Sequence, residues 1–170
     1  MPEKIFYLYG SVVQDWMKTW NNNESNPKIT FVNGLDLSVA DKYSGSKVLV
    51  IDDLCLSQNK ELTQHFLAGS HHKNITTIYI SHSIYINDDN YRMLSNNCQY
   101  MLLMNNKRQM ASVSRLARSI LGKEYLRIVD AYNYNRNKQF GFVLLSFHPK
   151  VPEELLVIVD FFEECPSIFI

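Results

Sequence analysis

Apolar residues fall along this chain in short bursts separated by polar stretches, and the bursts carry both strand and helix periods. Residues 5–9 form a β-branched and aromatic run that predicts a strand. Val12, Val13, Trp16, Met17 and Trp20 then recur at helical spacing, with Ser11 placed as the N-cap. Residues 21–28 are polar, contain Pro27 and read as a loop. A second short strand is expected over 29–32, a loop with a helical turn over 35–46, and a third strand over 47–52. A helix follows over 60–68, with Leu62, Phe66 and Leu67 apolar and Gly69 as its stop. Residues 75–80 (ITTIYI) predict a strong strand, 90–96 a short helix and 100–104 (YMLLM) another buried strand. The clearest amphipathic segment places Val113, Leu116, Ala117, Ile120 and Leu121 on one face, leaves Arg115 and Arg118 off it, and ends at Gly122. A helix over 123–134 and a strand over 140–147 come next, and residues 155–162 fit a strand or a helix equally.

Uniformly apolar strands alternating with helices imply an α/β fold with a mostly parallel sheet and flanking helices. No internal repeat and no linker composition interrupts the chain, so residues 1–170 are expected to form a single domain. Ligands in such sheets bind at the carboxyl ends of strands. Asp52 and Asp53 stand at one such end, and Ser81 and His82 at another.

Composition narrows the classes. The chain has 170 residues, 46% hydrophobic and 20% charged, which is a globular balance with room for a core. Seventeen basic and 17 acidic residues give no global pull toward nucleic acid, so any DNA contact needs a local basic patch. Three cysteines, Cys55, Cys98 and Cys165, share no metal or redox spacing and fit a reducing, intracellular setting. The start lacks the pattern of a signal peptide, so secretion is not expected. No apolar run is long enough to span a membrane, and no membrane partner is expected.

Asp52 and Asp53 close the apolar run VLVI. A divalent ion on a nucleotide takes one or two carboxylates and several waters, and a neighbouring carboxylate can activate the attacking water. The plain alternative is a pair of aspartates that starts a turn. His71 and His72 are adjacent, so their side chains diverge, and no third ligand lies at a zinc-like spacing from them or from His65. The loop Gly69 to Asn74 therefore reads as a phosphate, DNA or subunit contact, or as a solvated loop. Ser81-His82-Ser83 occupies a γ-phosphate sensor position or forms an ordinary polar cap. Arg92, Lys107, Arg108, Arg115 and Arg118 concentrate the basic charge. One of them at a subunit boundary would suit a phosphate-stabilising finger, and a solvated helix face is the bland reading. Trp16 and Trp20 read as packing rather than a base-stacking platform.

The segment VLVIDDL looks like a Walker B strand, yet the chain has no glycine-rich G-x-x-x-x-G-K-[ST] loop among its six glycines. In order, Gly10 to Trp20 with Gln14, Val32-Asn33-Gly34-Leu35, LVIDDL, GSHHKN, ITTIYIS, NNCQYMLLMNN, Leu116-Ala117-Arg118 and FGFVLLSF carry a resemblance that spans roughly residues 6–155. The chain resembles the genome-packaging ATPases of the FtsK–HerA superfamily of P-loop NTPases, especially those of Polinton-like elements and related DNA viruses.

The resemblance implies a RecA-like (ASCE) core that lacks its P-loop strand. It implies that Asp52 holds Mg2+, that Asp53 polarises the attacking water, and that both serve the ATP site. It places His82 where the family often has a glutamine sensor, and it matches Arg92 and Arg118 to recurrent arginines, one or the other of which would act in trans. Its partners would be duplex DNA, other copies of the ATPase in a ring, and capsid or portal proteins, at a virus assembly site inside the host cell. The P-loop strand of the family lies between the sensor strand and the strand matching YMLLM, so its loss exposes two edges or forces them to pair. The expected function is the C-terminal part of a DNA-packaging ATPase, inactive as an isolated chain. The alternatives are a degenerate pseudo-ATPase that binds DNA or a packaging partner, and a metal-dependent phosphodiesterase that recruits Asp88 or Asp89 as well.

Overall fold

The structure, a computed structural model, describes residues 2–10, 12–52, 54, 60–66, 74–84 and 89–170. The chain forms two compact units, residues 1–97 and 98–170.

The first unit is a parallel sheet with helices on its faces. Strands β1 (Lys4–Tyr9), β2 (Ile29–Asn33), β3 (Lys47–Asp52) and β4 (Ile75–Ile80) lie in the order β2-β1-β3-β4. Helices α1 (Asp15–Trp20), α2 (Ser38–Asp41), α3 (Lys60–Gln64) and α4 (Asp89–Asn97) connect or follow them. Strand side chains alternate between faces, and the register aligns Phe6 with Leu49 and Leu8 with Ile51. That face is the core: Leu8, Leu49, Ile51 and Leu62 have no exposed surface, and Leu37, Ala40 and Leu94 close it from the helices. The opposite face carries Tyr7, Val50 and Ile78 in register, with Phe31 beside Tyr7. Helix α1 covers part of it by laying Trp16 on Tyr7 and Phe31. Farther along the same face Ile78 is 46% exposed and Ile80 40% exposed.

Helix α1 is shorter than the helical spacing predicts. It begins at Asp15, with Gln14 in the extended N-cap position, and Val12 and Val13 stay outside it and exposed. Two consecutive β-branched residues lose rotamer freedom in a helix, whereas Asp15 in the first turn favours a start there. Ser11, expected as the cap, lies outside the described residues.

The two edges of this sheet differ. At β2 the Asn21 side chain acts as a substitute neighbour: its Nδ2 donates to the Ile29 carbonyl at 2.8 Å, and its Oδ1 accepts from the Ile29 N–H at 3.0 Å. At β4 the bond from the Lys47 N–H to the Asn74 carbonyl sets the phase of the ladder. Ile75 and Thr77 therefore turn their backbone groups away from β3. Among the described residues β4 has no second strand neighbour.

The second unit is a separate antiparallel sheet. Strands β5 (Tyr100–Met104), β6 (Phe142–Ser146), β7 (Val157–Val159) and β8 (Ser167–Ile168) follow one another in sequence and in space. Helices α5 (Met110–Leu121) and α6 (Leu126–Asn135) lie between β5 and β6. The expectation of a mostly parallel sheet thus holds for the first unit, and the strands after residue 97 depart from it. Apolar runs report burial, not direction. The pair of helices between β5 and β6 brings Phe142 back opposite Met104, the residue that ended β5. Short connections then keep β7 and β8 antiparallel.

Val113, Ala117, Ile128, Ala131, Val143, Leu145, Val157 and Val159 have no exposed surface and form this unit's apolar interior. Polar groups brace its loops: Asn135 Nδ2 donates to the Phe142 carbonyl at 2.7 Å, and the Asn106 N–H donates to the Tyr132 hydroxyl at 2.7 Å. Gly122 ends α5 at φ +55, a conformation that side chains disfavour. On β5, Tyr100, Leu102 and Met104 share one face and are each about half exposed.

Candidate functional site

The topology of the first unit selects one place for a ligand. The chain leaves β1 through α1 toward β2, and it leaves β3 through α3 toward β4 on the other side. The helix after β1 packs on one face of the sheet and the helix after β3 on the other. Neighbouring strands whose connections part in this way open a crevice at their carboxyl ends. Here those ends are Tyr9 with Gly10, and Asp52. The end of β1 is held by β2: the Gly34 N–H donates to the Tyr9 carbonyl at 2.9 Å, and Asn33 Nδ2 donates to the Gly10 carbonyl at 3.0 Å. Gly34 sits at φ +87, where the chain turns away.

Asp52 is the last residue of β3 and pairs in register with Tyr9 on β1 and Ile80 on β4. Its side chain lies on the same face as Tyr7, the residue two positions before Tyr9. The Tyr7 hydroxyl donates to Asp52 Oδ2 at 2.5 Å, a short bond of the kind a carboxylate makes. Oδ1 accepts no hydrogen bond from the described residues. The Tyr7 phenol is pushed well above the usual tyrosine range, first by burial and then by its bond to the Asp52 carboxylate and that group's charge. It therefore stays protonated and remains a donor.

An aromatic cluster fixes the Tyr7 ring. Trp16 meets it edge-on with centroids 5.3 Å apart, and Phe31 lies 5.8 Å away. Trp16 in turn contacts Phe31 at 5.6 Å and Trp20 at 6.0 Å, and its Nε1 donates to Gln14 Oε1 at 2.6 Å. The tryptophan pair packs, as its spacing implies. Sequence reasoning missed Tyr7, because a tyrosine inside an apolar strand carries no mark of its own. Its place beside Asp52 follows only from parallel pairing of β1 with β3 in this register.

Asp53 lies outside the described residues, and so does most of the loop Gly69 to Asn74. His82 is exposed, two residues beyond the Ile80 that pairs with Asp52. Ser81 Oγ donates to the Ser83 carbonyl at 2.9 Å and accepts from the Ser83 N–H at 3.2 Å, which fixes the turn that carries His82. Arg92 is on α4, 68% exposed, in a 3.4 Å ion pair with Asp89. Arg118 belongs to the second unit, where its guanidinium lies 3.6 Å from the Tyr125 ring centroid. The structure thus brings Asp52 and the 81–83 turn to adjacent strand ends. His65 is buried, with Nε2 3.0 Å from Thr77 Oγ1.

Mg2+ on a nucleotide needs only one or two protein carboxylates, because phosphate and water complete its shell. A strand-end carboxylate with one oxygen held and the other open fits that small demand. No group of three His, Cys, Asp or Glu side chains converges among the described residues, so they form no all-protein metal cage. No described helix is long and apolar enough to cross a membrane. No family model, no curated protein and no solved structure matches the chain.

Proposed function

We propose that this chain is the C-terminal part of a DNA-packaging ATPase of the FtsK–HerA type, with a RecA-like core whose P-loop strand lies outside the sequence. The observation that carries the reading is Asp52: a carboxylate at the end of an apolar parallel strand, at the point where the connections of β1 and β3 part, with one oxygen free of donors among the described residues. A polar turn at Ser81 to Ser83 ends the neighbouring strand, where a sensor belongs. The outer edge of β4 supports the same reading. Ile75 and Thr77 turn backbone groups there that no strand among the described residues pairs, and the apolar Ile78 and Ile80 are 46% and 40% exposed. Parallel sheets are ordinarily covered on both faces.

In the intact enzyme Asp52 would hold Mg2+, and the ion would screen the nucleotide phosphates. Asp53 would orient the attacking water, and His82 would donate to the γ-phosphate. Arg92 or Arg118 would act across a ring of subunits, with duplex DNA and capsid or portal proteins as partners. The isolated chain lacks the lysine and the backbone N–H cradle of a P-loop. Purified alone, it should hydrolyse ATP at no more than background. Hydrolysis that Asp53→Asn abolishes would overturn this. The DNA upstream of the Met1 codon supplies the second check. A G-K-S/T loop in any frame supports the split ATPase, and its absence turns the reading to a pseudo-ATPase that binds a packaging partner.

A further inference from the structure

We propose that Tyr7 is a positioning residue for Asp52: its hydroxyl holds Oδ2 and leaves Oδ1 directed at a divalent cation. This rests on the reading of Asp52 as a cation ligand and adds a residue that the motif does not contain. Three observations carry it. The register of β1 on β3 puts Tyr7 diagonally before Asp52 on one face, so the contact is built into the sheet rather than into a loop. The 2.5 Å bond uses one carboxylate oxygen and leaves the other without a donor among the described residues. The phenol ring cannot swing away, because Trp16 and Phe31 pack on it and the Gln14 side chain holds the Trp16 indole.

The packing on the Tyr7 ring keeps its hydroxyl on one carboxylate oxygen, and Oδ1 has no donor among the described residues. Partners that orient a ligating carboxylate raise metal affinity by fixing the ligand before the ion arrives. The aromatic cluster of α1 and β2 thus reaches the site through one hydroxyl.

Mn2+ alone serves as the probe, titrated into the isotope-labelled chain and followed by paramagnetic broadening of amide signals. The wild type should broaden first at the amides near Asp52, and Asp52→Asn should abolish that effect. Tyr7→Phe keeps the ring and its packing, and should weaken Mn2+ at this place about 10-fold, with distant amides unchanged. Phe31→Leu retains the hydroxyl but frees the ring, and should weaken binding in the same direction by less. It keeps the test alive if Tyr7→Phe fails to fold. Wild-type affinity in a folded Tyr7→Phe protein overturns the positioning role and leaves Asp52 as the ligand. Absence of broadening near Asp52 in the wild type overturns the cation site and the role of Tyr7 together.

Discussion

The two ends of the parallel sheet are built on the same contact, a tyrosine hydroxyl donating to a carboxylate, and they use it differently. At the amino end Tyr43 donates to Glu3 Oε2 at 3.0 Å, while the Ser46 N–H and hydroxyl both approach Oε1 at 3.3 Å. Both carboxylate oxygens are taken. Gly45 is pressed so closely against this cluster that a Cβ there would meet the Glu3 carboxylate and the Tyr43 ring. Lys47 is buried beside it and donates to the Tyr43 carbonyl. At the carboxyl end Tyr7 holds Asp52 Oδ2, and Oδ1 accepts nothing from the described residues. A carboxylate with both oxygens filled from its own chain is a clasp. Asp52 is held through one oxygen only, at the strand end where the connections of β1 and β3 diverge.

Both ends hang on the same interior, and the largest expected effect comes from breaking that. Ile51 has no exposed surface and immediately precedes Asp52. Ile51→Ala should cost about 2–5 kcal/mol and loosen the clasp and the site together. Tryptophan fluorescence reads this unit alone, because Trp16 and Trp20 are the chain's two tryptophans. A loss below about 1 kcal/mol in denaturant titration would show that β3 is not the shared support.

The two tyrosine hydroxyls should differ in what their removal costs. Tyr7→Phe deletes a short bond to a carboxylate in a half-buried setting and should cost about 1.5 kcal/mol, the low end for bonds to charged groups. Tyr43→Phe deletes a longer bond that is exposed to water, so its cost should be the smaller of the two. The reverse order, measured by the same fluorescence transition, would mean that the amino-end clasp is the tighter structure and would remove the contrast.

How much of this was legible in the sequence follows from what periodicity can encode. The apolar runs over 47–52, 75–80 and 100–104 marked their strands, and the spacing from Val113 to Leu121 marked α5, because burial selects residue type directly. Asp52 at a strand end was legible for the same reason. The antiparallel direction of β5 to β8 was not, since the same apolar run serves either pairing. The residues around the short β7 fit a strand or a helix equally, and β8 shows no pattern in its two residues. Tyr7 was hidden one level deeper. Its role needs the neighbouring strand, its direction and its register at once, and none of these is written in the residues around it.

The smallest effect expected is a pH dependence at the amino end, and its sign separates clasp from site. The Ser46 backbone N–H, the Tyr43 hydroxyl and the Ser46 hydroxyl, in that order, hold Glu3 below its ordinary value of 4.5. A depressed folded value means that the unfolded chain takes up the proton first. The contribution of Glu3 is therefore fully present above about pH 4.5 and is lost as pH falls through the lowered folded value. The group is solvent-exposed, so water screens the effect and it stays small. Melting temperatures of the wild type and Glu3→Gln, compared from about pH 6 down to about pH 3, should converge toward the acid end. Curves that stay parallel throughout would mean that the bonds to Ser46 and Tyr43 do not select the ionised form. The amino end would then hold by packing around Gly45 and Lys47 rather than by a filled carboxylate, and the contrast with Asp52 would rest on geometry alone.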